Sequence, residues 1–290
     1  MNWFFPLVAV AIWAGNTVVS KAAAGVIDPA AISFYRWLIA GLILTPIMAP
    51  KLWRQRLAIG PYWPKFAVLA LLGMVLYQCL AYFAAHSTTA TNMGVICALI
   101  PLLGLLLNWA FFRFRPNGRA MIGVGFSLLG VLYLLGQGQP SRLLAGGINH
   151  GDGLMLIGAL AYALYGILLK RWALPFSPWL NLYLQIGFGV LFLIPVALSA
   201  QSLAIAPAAI SMVLFAGIAS SIVAAYCWMQ GIGRMGSEKT AIFMNLLPLL
   251  TALIAVLVLG ETLHVYHYLG GGLILFGVFL VQFRQSCVES

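Results

Sequence analysis

Ten stretches of about twenty mostly apolar residues follow one another along this chain: 3–22, 30–49, 65–85, 91–112, 118–136, 153–171, 178–198, 207–230, 238–259 and 264–283. About twenty such residues are what an α-helix needs to cross the hydrocarbon core of a bilayer. The connections between the stretches are too short to fold as a separate soluble domain. Composition agrees, since 63% hydrophobic against 7% charged residues is more apolar surface than a water-soluble core could hide. The sequence therefore predicts an all-α polytopic membrane protein with ten transmembrane helices.

Its net charge of +10 does not point to nucleic acid, because the cations lie between the apolar runs. With a cytoplasmic N-terminus, twelve of the fifteen Lys and Arg residues fall in the even-numbered connections and the C-terminal tail. They are Lys51, Arg54, Arg56, Lys65, Arg113, Arg115, Arg119, Lys170, Arg171, Arg234, Lys239 and Arg284. Short loops of this kind obey the positive-inside rule, so both termini are expected in the cytoplasm. The first run has no basic leader segment and no cleavage pattern, and it reads as a retained helix. Cys79, Cys97, Cys227 and Cys287 have neither metal-site nor disulfide spacing and read as apolar filler.

The runs repeat. At an offset of 149, Trp13 falls on Tyr162, Asn16 on Tyr165, Lys21 on Lys170, Pro29 on Pro178 and Pro46 on Pro195. An offset of 144 pairs Gly73 with Gly217, Tyr82 with Tyr226 and His86 with Gln230. An offset of 147 pairs Pro101 with Pro248, Gly123 with Gly270, Gly125 with Gly272 and Gly130 with Gly277. The chain thus divides into a first five-helix repeat at 1–136, a linker at 137–151 and a second five-helix repeat at 152–290. Five is odd, so the second repeat enters the membrane from the opposite side. Inverted repeats are an architecture of transporters, with substrate bound near the midplane where the halves meet.

The segments "AIWAGNTVVSK" at 11–21, "FYRWLIAG" at 34–41, "NLLPLLTALIAVLVLGE" at 245–261 and "GGGLILFGVFL" at 270–280 resemble the EamA family of the drug/metabolite transporter superfamily. Size and helix count are also similar to those of aromatic amino-acid exporters of the YddG type. The resemblance covers essentially the whole chain. It implies an exporter or permease of small metabolites, often amino acids, in a bacterial inner membrane. One departure is plain: Glu261 ends the second-half motif, whereas its first-half partner is Phe114, which excludes a symmetric acidic pair.

Polar and aromatic residues inside the spans mark the candidate site. Trp13, Asn16 and Ser20 share one helical face, and a buried amide needs a partner or a wet cavity. Tyr162 and Tyr165 offer the matching wall from the second half. Tyr77, Gln78, Tyr82 and His86 spend hydrogen-bonding groups along the third span, as Ser220, Ser221, Tyr226, Trp228 and Gln230 do along the eighth. The expected substrate-binding set is Trp13, Asn16, Gln78, Tyr82, His86, Tyr162, Tyr165, Tyr226 and Trp228. Arg36, about 10 Å in from a helix end by the helical rise, has two readings: it bonds backbone carbonyls of a neighbouring helix, or it holds a substrate carboxylate. Pro101 and Pro248 are the expected hinges, with Asn245 placed to meet freed backbone beside Pro248. The glycines at 123, 125, 130, 270, 272 and 277 are expected to permit close helix contact.

Asp28, Asp152, Glu238, Glu261 and Glu289 all fall at loops, helix ends or the tail, and His86, His150, His264 and His267 gather near one side. No acid sits at mid-span as a proton relay, so a solute-gradient-driven facilitator is the simpler expectation. There is no nucleotide-binding glycine loop. The aromatic walls favour an amino acid with an aromatic or hydrophobic side chain. Nucleobases, sugars and drugs of the same superfamily are the alternative, and cationic drugs lack the buried acid they would want. A membrane-embedded enzyme is the remote competitor, resting on His264 and His267 as a metal pair without a third ligand. The expected partners are a small-molecule substrate and the lipid bilayer, with no nucleic acid, no cofactor, no metal and a plausible monomer.

Overall fold

The structure, a computed structural model, describes residues 2–112, 118–139, 141 and 148–282. Arg113, Phe114, Arg115, Arg142, Arg284, Cys287 and Glu289 lie outside the described residues. All regular structure among the described residues is helical. The first half runs α1 (Phe4–Ala23), α2 (Pro29–Ile59), a 3-10 turn (Gly60–Tyr62), α3 (Trp63–Leu69), a π-helical segment (Ala70–Leu76), α4 (Tyr77–Ala84), α5 (Ala90–Cys97), α6 (Ile100–Phe112) and α7 (Gly118–Leu135). The second half runs α8 (His150–Trp172), α9 (Pro178–Leu198), α10 (Pro207–Leu214), a second π-helical segment (Phe215–Val223), α11 (Ala224–Met235), α12 (Ser237–Ile242), a 3-10 turn (Phe243–Leu246), α13 (Leu247–Leu259) and α14 (Val265–Gln282).

Seven helical runs among the described residues are long and apolar enough to cross a membrane, or eight when the pair α5–α6, bent by 41°, is counted as one span. The longest run, Pro29–Ala84, doubles back on itself. A straight helix of that length would extend about 84 Å, yet Trp37 Nε1 donates to the Met74 carbonyl at 2.9 Å. Asp28 and Ser177 cap α2 and α9, each ahead of a proline at the first helical position, where a missing N–H costs nothing. Helix α2 runs ten residues past the expected end at 49. On this extension Arg56 stacks over the exposed Trp53 ring at 4.4 Å, a pairing suited to the membrane interface.

Packing between the halves recurs in matched pairs. Helix α1 packs on α11 and α13, and its counterpart α8 packs on α4 and α6. Helix α2 lies against the second π segment, and α9 against the first. Helices α2 and α9 pack on each other, as do α7 and α14. The α7–α14 seam is a glycine contact. A Cβ on Gly130 would lie 2.6 Å from the Gly270 carbonyl, and one on Gly277 would overlap the Gly123 carbonyl. Exchanging 123 with 270 and 130 with 277 turns one contact into the other. In lipid no hydrophobic effect presses helices together, so such close backbone approach supplies the dispersion contact instead.

Candidate functional site

Two cavities stand out: a polar one of about 80 Å³ between the halves and an apolar one of about 300 Å³ beside α13 and α14. The polar cavity is the smaller, but it gathers the chemistry. Helix α1 contributes Trp13, Asn16, Thr17 and Ser20; α2 contributes Arg36; α4 contributes Tyr77 and Gln78; α8 contributes Tyr162; and the second π segment contributes Ser220. Met93, Met155 and Met244 close the apolar side.

Arg36 dominates this cavity. The residue is 2% exposed, and its guanidinium meets side chains rather than backbone carbonyls. Nε donates to Ser221 Oγ at 2.8 Å, Nη1 to Gln78 Oε1 at 2.8 Å and, more weakly, to Tyr82 OH at 3.5 Å, and Nη2 to Ser220 Oγ at 3.0 Å. A guanidinium has five N–H donors, so one on Nη2 is left over. Every acceptor is neutral. The acids whose side chains are described are engaged elsewhere: Asp28 caps α2, Asp152 is bonded by Thr88 and Asn92, and Glu261 is bonded by Ala90 and Thr91. Among the described side chains, then, a full positive charge is buried inside the helical bundle with hydrogen bonds but no counter-charge, an arrangement that a low-dielectric interior strongly disfavours unless an anion visits.

The local backbone explains how Arg36 is held. The π segments are an uncommon form that tends to mark functional sites, and they occupy equivalent places at the offset of 144. In the second one, Ser221 Oγ donates to the Ala216 carbonyl at 2.9 Å, which leaves its oxygen to accept from Arg36. Gly217 lets this segment approach α2, since a Cβ there would lie 3.1 Å from the Arg36 carbonyl oxygen and from Ile39 Cβ. Trp13 Nε1 donates to the Ser220 carbonyl at 3.2 Å and so ties α1 to the same segment. Across the cavity, Asn16 is 8% exposed and its Oδ1 has no hydrogen-bond partner.

Of the residues singled out from sequence, Trp13, Asn16, Arg36, Gln78 and Tyr162 line one cavity. Tyr82 is buried and reaches Arg36. Tyr165 and Trp228 stand behind the wall, stacked on Tyr162 at 5.2 Å and tilted against Trp13 at 5.3 Å. Two do not join them. His86 is exposed just beyond the end of α4, and Tyr226 is 43% exposed and stacks on Trp179 instead. Reading helical faces gives the period but not how neighbours cover each face. Tyr82 is covered by Ala209 and Val213, whereas its repeat mate Tyr226 faces outward. Sequence reading left Tyr77, the three methionines and the Arg36-binding role of Ser220 and Ser221 out of the site. The offset that puts Tyr77 opposite Ser221 was the available signal.

Pro101 and Pro248 are each the second residue of a helix that restarts after a break, α6 after the 41° bend and α13 after the 3-10 turn. Two acids stand differently from the sequence expectation of peripheral carboxylates. Asp152 does begin a helix, but it is only 4% exposed, with Thr88 Oγ1 and Asn92 Nδ2 on its carboxylate. Glu261 reaches across to the other half, where Oε1 accepts from Ala90 N at 2.7 Å and Oε2 from Thr91 N at 3.1 Å. It satisfies free N–H groups at the positive end of α5. Lys21 does more than close α1, since its Nζ donates to the Ala85 carbonyl at 2.7 Å. Its mate Lys170 is exposed. One nitrogen of each of His264 and His267 is used locally: His267 Nδ1 accepts from His264 N, and His264 Nε2 lies 3.3 Å from Thr262 Oγ1.

Comparison with known proteins places this arrangement. The family model for EamA-like transporters matches residues 3–136 and 149–283. An uncharacterized transporter of Archaeoglobus fulgidus is 29% identical over 94% of this chain and 94% of its own length. The uncharacterized transporter YyaM of Bacillus subtilis is 25% identical over 96% of this chain and 92% of its own. A solved crystal structure has the same fold, with a TM-score of 0.64 at 19% identity over 100% of this chain and 99% of that one.

Proposed function

This chain belongs to the EamA-like transporter family and is a multi-pass membrane transporter, and on that premise we propose that it exports amino acids from a bacterial cell across the inner membrane. Ten crossings in two inverted five-helix halves, with both termini cytoplasmic, would let the halves exchange conformations in alternating access. The constant offsets, the paired inter-halves contacts, the two π segments and the two matched segments support that reading.

The observation that carries the substrate class is the uncompensated Arg36 guanidinium facing Asn16 Oδ1 across one cavity. A zwitterion answers both: its carboxylate takes the spare Nη2–H and the charge, and its ammonium donates to the unpartnered amide oxygen. Trp13, Tyr77 and Tyr162 supply aromatic faces for an aromatic or hydrophobic side chain. A volume of about 80 Å³ holds only two or three waters at about 30 Å³ each, so a whole substrate enters only as the walls separate. Met93, Met155 and Met244 are the side chains best able to yield, and hinging at Pro101 and Pro248 would move the rest. With the described acids outside the cavity, flow down the solute gradient needs no coupled ion.

Counterflow into proteoliposomes tests this against a panel of amino acids, nucleosides and sugars, each at two pH values. The reading expects amino acids to exchange, aromatic and hydrophobic ones best, with rates insensitive to an imposed proton gradient. Exchange of nucleosides or sugars alone would overturn the substrate class. Exchange that stops when Asp152→Asn removes the buried carboxylate's charge would overturn the uncoupled mechanism.

A further inference from the structure

The larger cavity is apolar and shares no lining residue with the polar one; it lies between α5, α13 and α14. It begins at Leu263 and His267 near the start of α14, and it ends at Ala98, Pro248 and Leu275. Leu275 is eight residues beyond His267, about 12 Å along the helix, and one leaflet of hydrocarbon is about 15 Å deep. Leu249, Leu253 and Tyr268 on its rim are more than half exposed, so in a membrane the groove opens to lipid.

One residue lining this groove carries an unpartnered polar atom. His267 is 8% exposed, and its Nε2 has no hydrogen-bond partner. Its Nδ1 accepts the His264 backbone N–H at 2.9 Å, which puts the proton of the neutral ring on Nε2. The groove therefore combines an apolar channel about one leaflet long with an unpartnered ring N–H on a residue that lines its Leu263 end. That is the pattern of an esterified acyl chain, whose carbonyl sits at the interface and whose tail points to the midplane.

We propose that this groove binds one acyl chain of a membrane glycerolipid, with its ester carbonyl accepting from His267 Nε2–H. The chain then lies against Ala98 at the break between α5 and α6 and against Pro248 at the start of α13, the two interruptions of the helical core. A water-soluble substrate fits less well, because His267 is the one lining side chain with an orphaned polar atom and the groove faces the bilayer.

Nanodiscs containing phosphatidylglycerol with a diazirine in mid-chain test the proposal, with crosslinks mapped by mass spectrometry. Leu253 and Leu275 should be labelled several-fold more than Leu198 and Leu257, which are exposed apolar residues elsewhere. Gly272→Phe should abolish the excess, since a Cβ at Gly272 meets nothing within 4 Å and the ring enters the groove without displacing backbone. Leu253→Trp fills the groove a second way and should act alike. His267→Phe should lower labelling by the diester lipid about fivefold, the worth of one hydrogen bond, and leave a dialkyl ether analogue unaffected. Uniform labelling of the apolar surface, or excess labelling that survives both fillings, would overturn the site. Equal labelling by ester and ether lipids would overturn the role of His267, and displacement of the lipid by amino acids would make the groove part of the solute path instead.

Discussion

Arg36 and Gln185 occupy the same place in the two halves, 149 residues apart, and both are buried. Each lies on the second helix of its half, and each of those helices packs on the π segment of the other half. Yet Arg36 is bonded by Ser220, Ser221 and Gln78 and lines the polar cavity, whereas Gln185 lies beside Tyr165 with its Oε1 unpartnered and lines neither cavity. The two helices hold matching places in the scaffold, but only α2 carries a charge there. A site between such halves is two-sided in shape and one-sided in electrostatics, which suits a substrate with a carboxylate at one end only.

Arg36→Gln, which makes the first half like the second, should have the largest effect: transport efficiency for amino acids falls about a hundredfold or more, the worth of a charge-assisted pair. Thermal unfolding should show the variant as stable as the parent or more so, because a buried charge without a counter-ion has been removed. A structural Arg36 would give the reverse, lower stability with transport kept in the folded fraction. Arg36→Lys should still lose about tenfold, since an ammonium cannot meet Ser220, Ser221 and Gln78 in one plane.

Gly217→Ala should cost about 1–3 kcal/mol of stability, because its new Cβ meets the Arg36 carbonyl and Ile39. Gly73→Ala meets the Tyr165 ring, at 2.9 Å, and should cost less because a side chain can turn where backbone cannot. Asn16→Ala should lower transport of zwitterionic amino acids about tenfold, one hydrogen bond to a charged group, and leave their deaminated acid analogues unchanged. Gln185→Leu should change transport by less than about twofold and stability little, since the unsatisfied Oε1 it removes offsets the lost contact with Tyr165. If Gln185→Leu disables transport as Arg36→Gln does, the asymmetry has no functional meaning.

Most helices were legible because apolar runs of membrane length have few alternatives; the exceptions are the end of α2, the end of α11 at Met235, and the 91–112 run, which breaks into α5 and α6 at a 41° bend. The paired glycines of α7 and α14 were legible too, since close backbone contact requires that residue. Half of the candidate site could be read from polar residues in apolar helices, as Trp13, Asn16, Gln78 and Tyr162 show. The π segments could not, because one extra residue per turn has no composition of its own, and the contacts of Arg36 depend on them. Neither could the burial of Asp152 or the reach of Glu261 to α5, because both are set by how separate helices meet and not by any local pattern.

The central claim is that Arg36 anchors the carboxylate of the transported solute, and a substrate-pair counterflow measurement tests it most directly. Proteoliposomes with parent or Arg36→Gln protein are offered an amino acid and the amine that differs from it only in lacking the carboxylate. The parent should exchange the amino acid at least tenfold faster than the amine, and the variant should lose that preference by losing the amino acid. Equal rates for the two solutes in the parent, or an unchanged preference in the variant, would contradict the account.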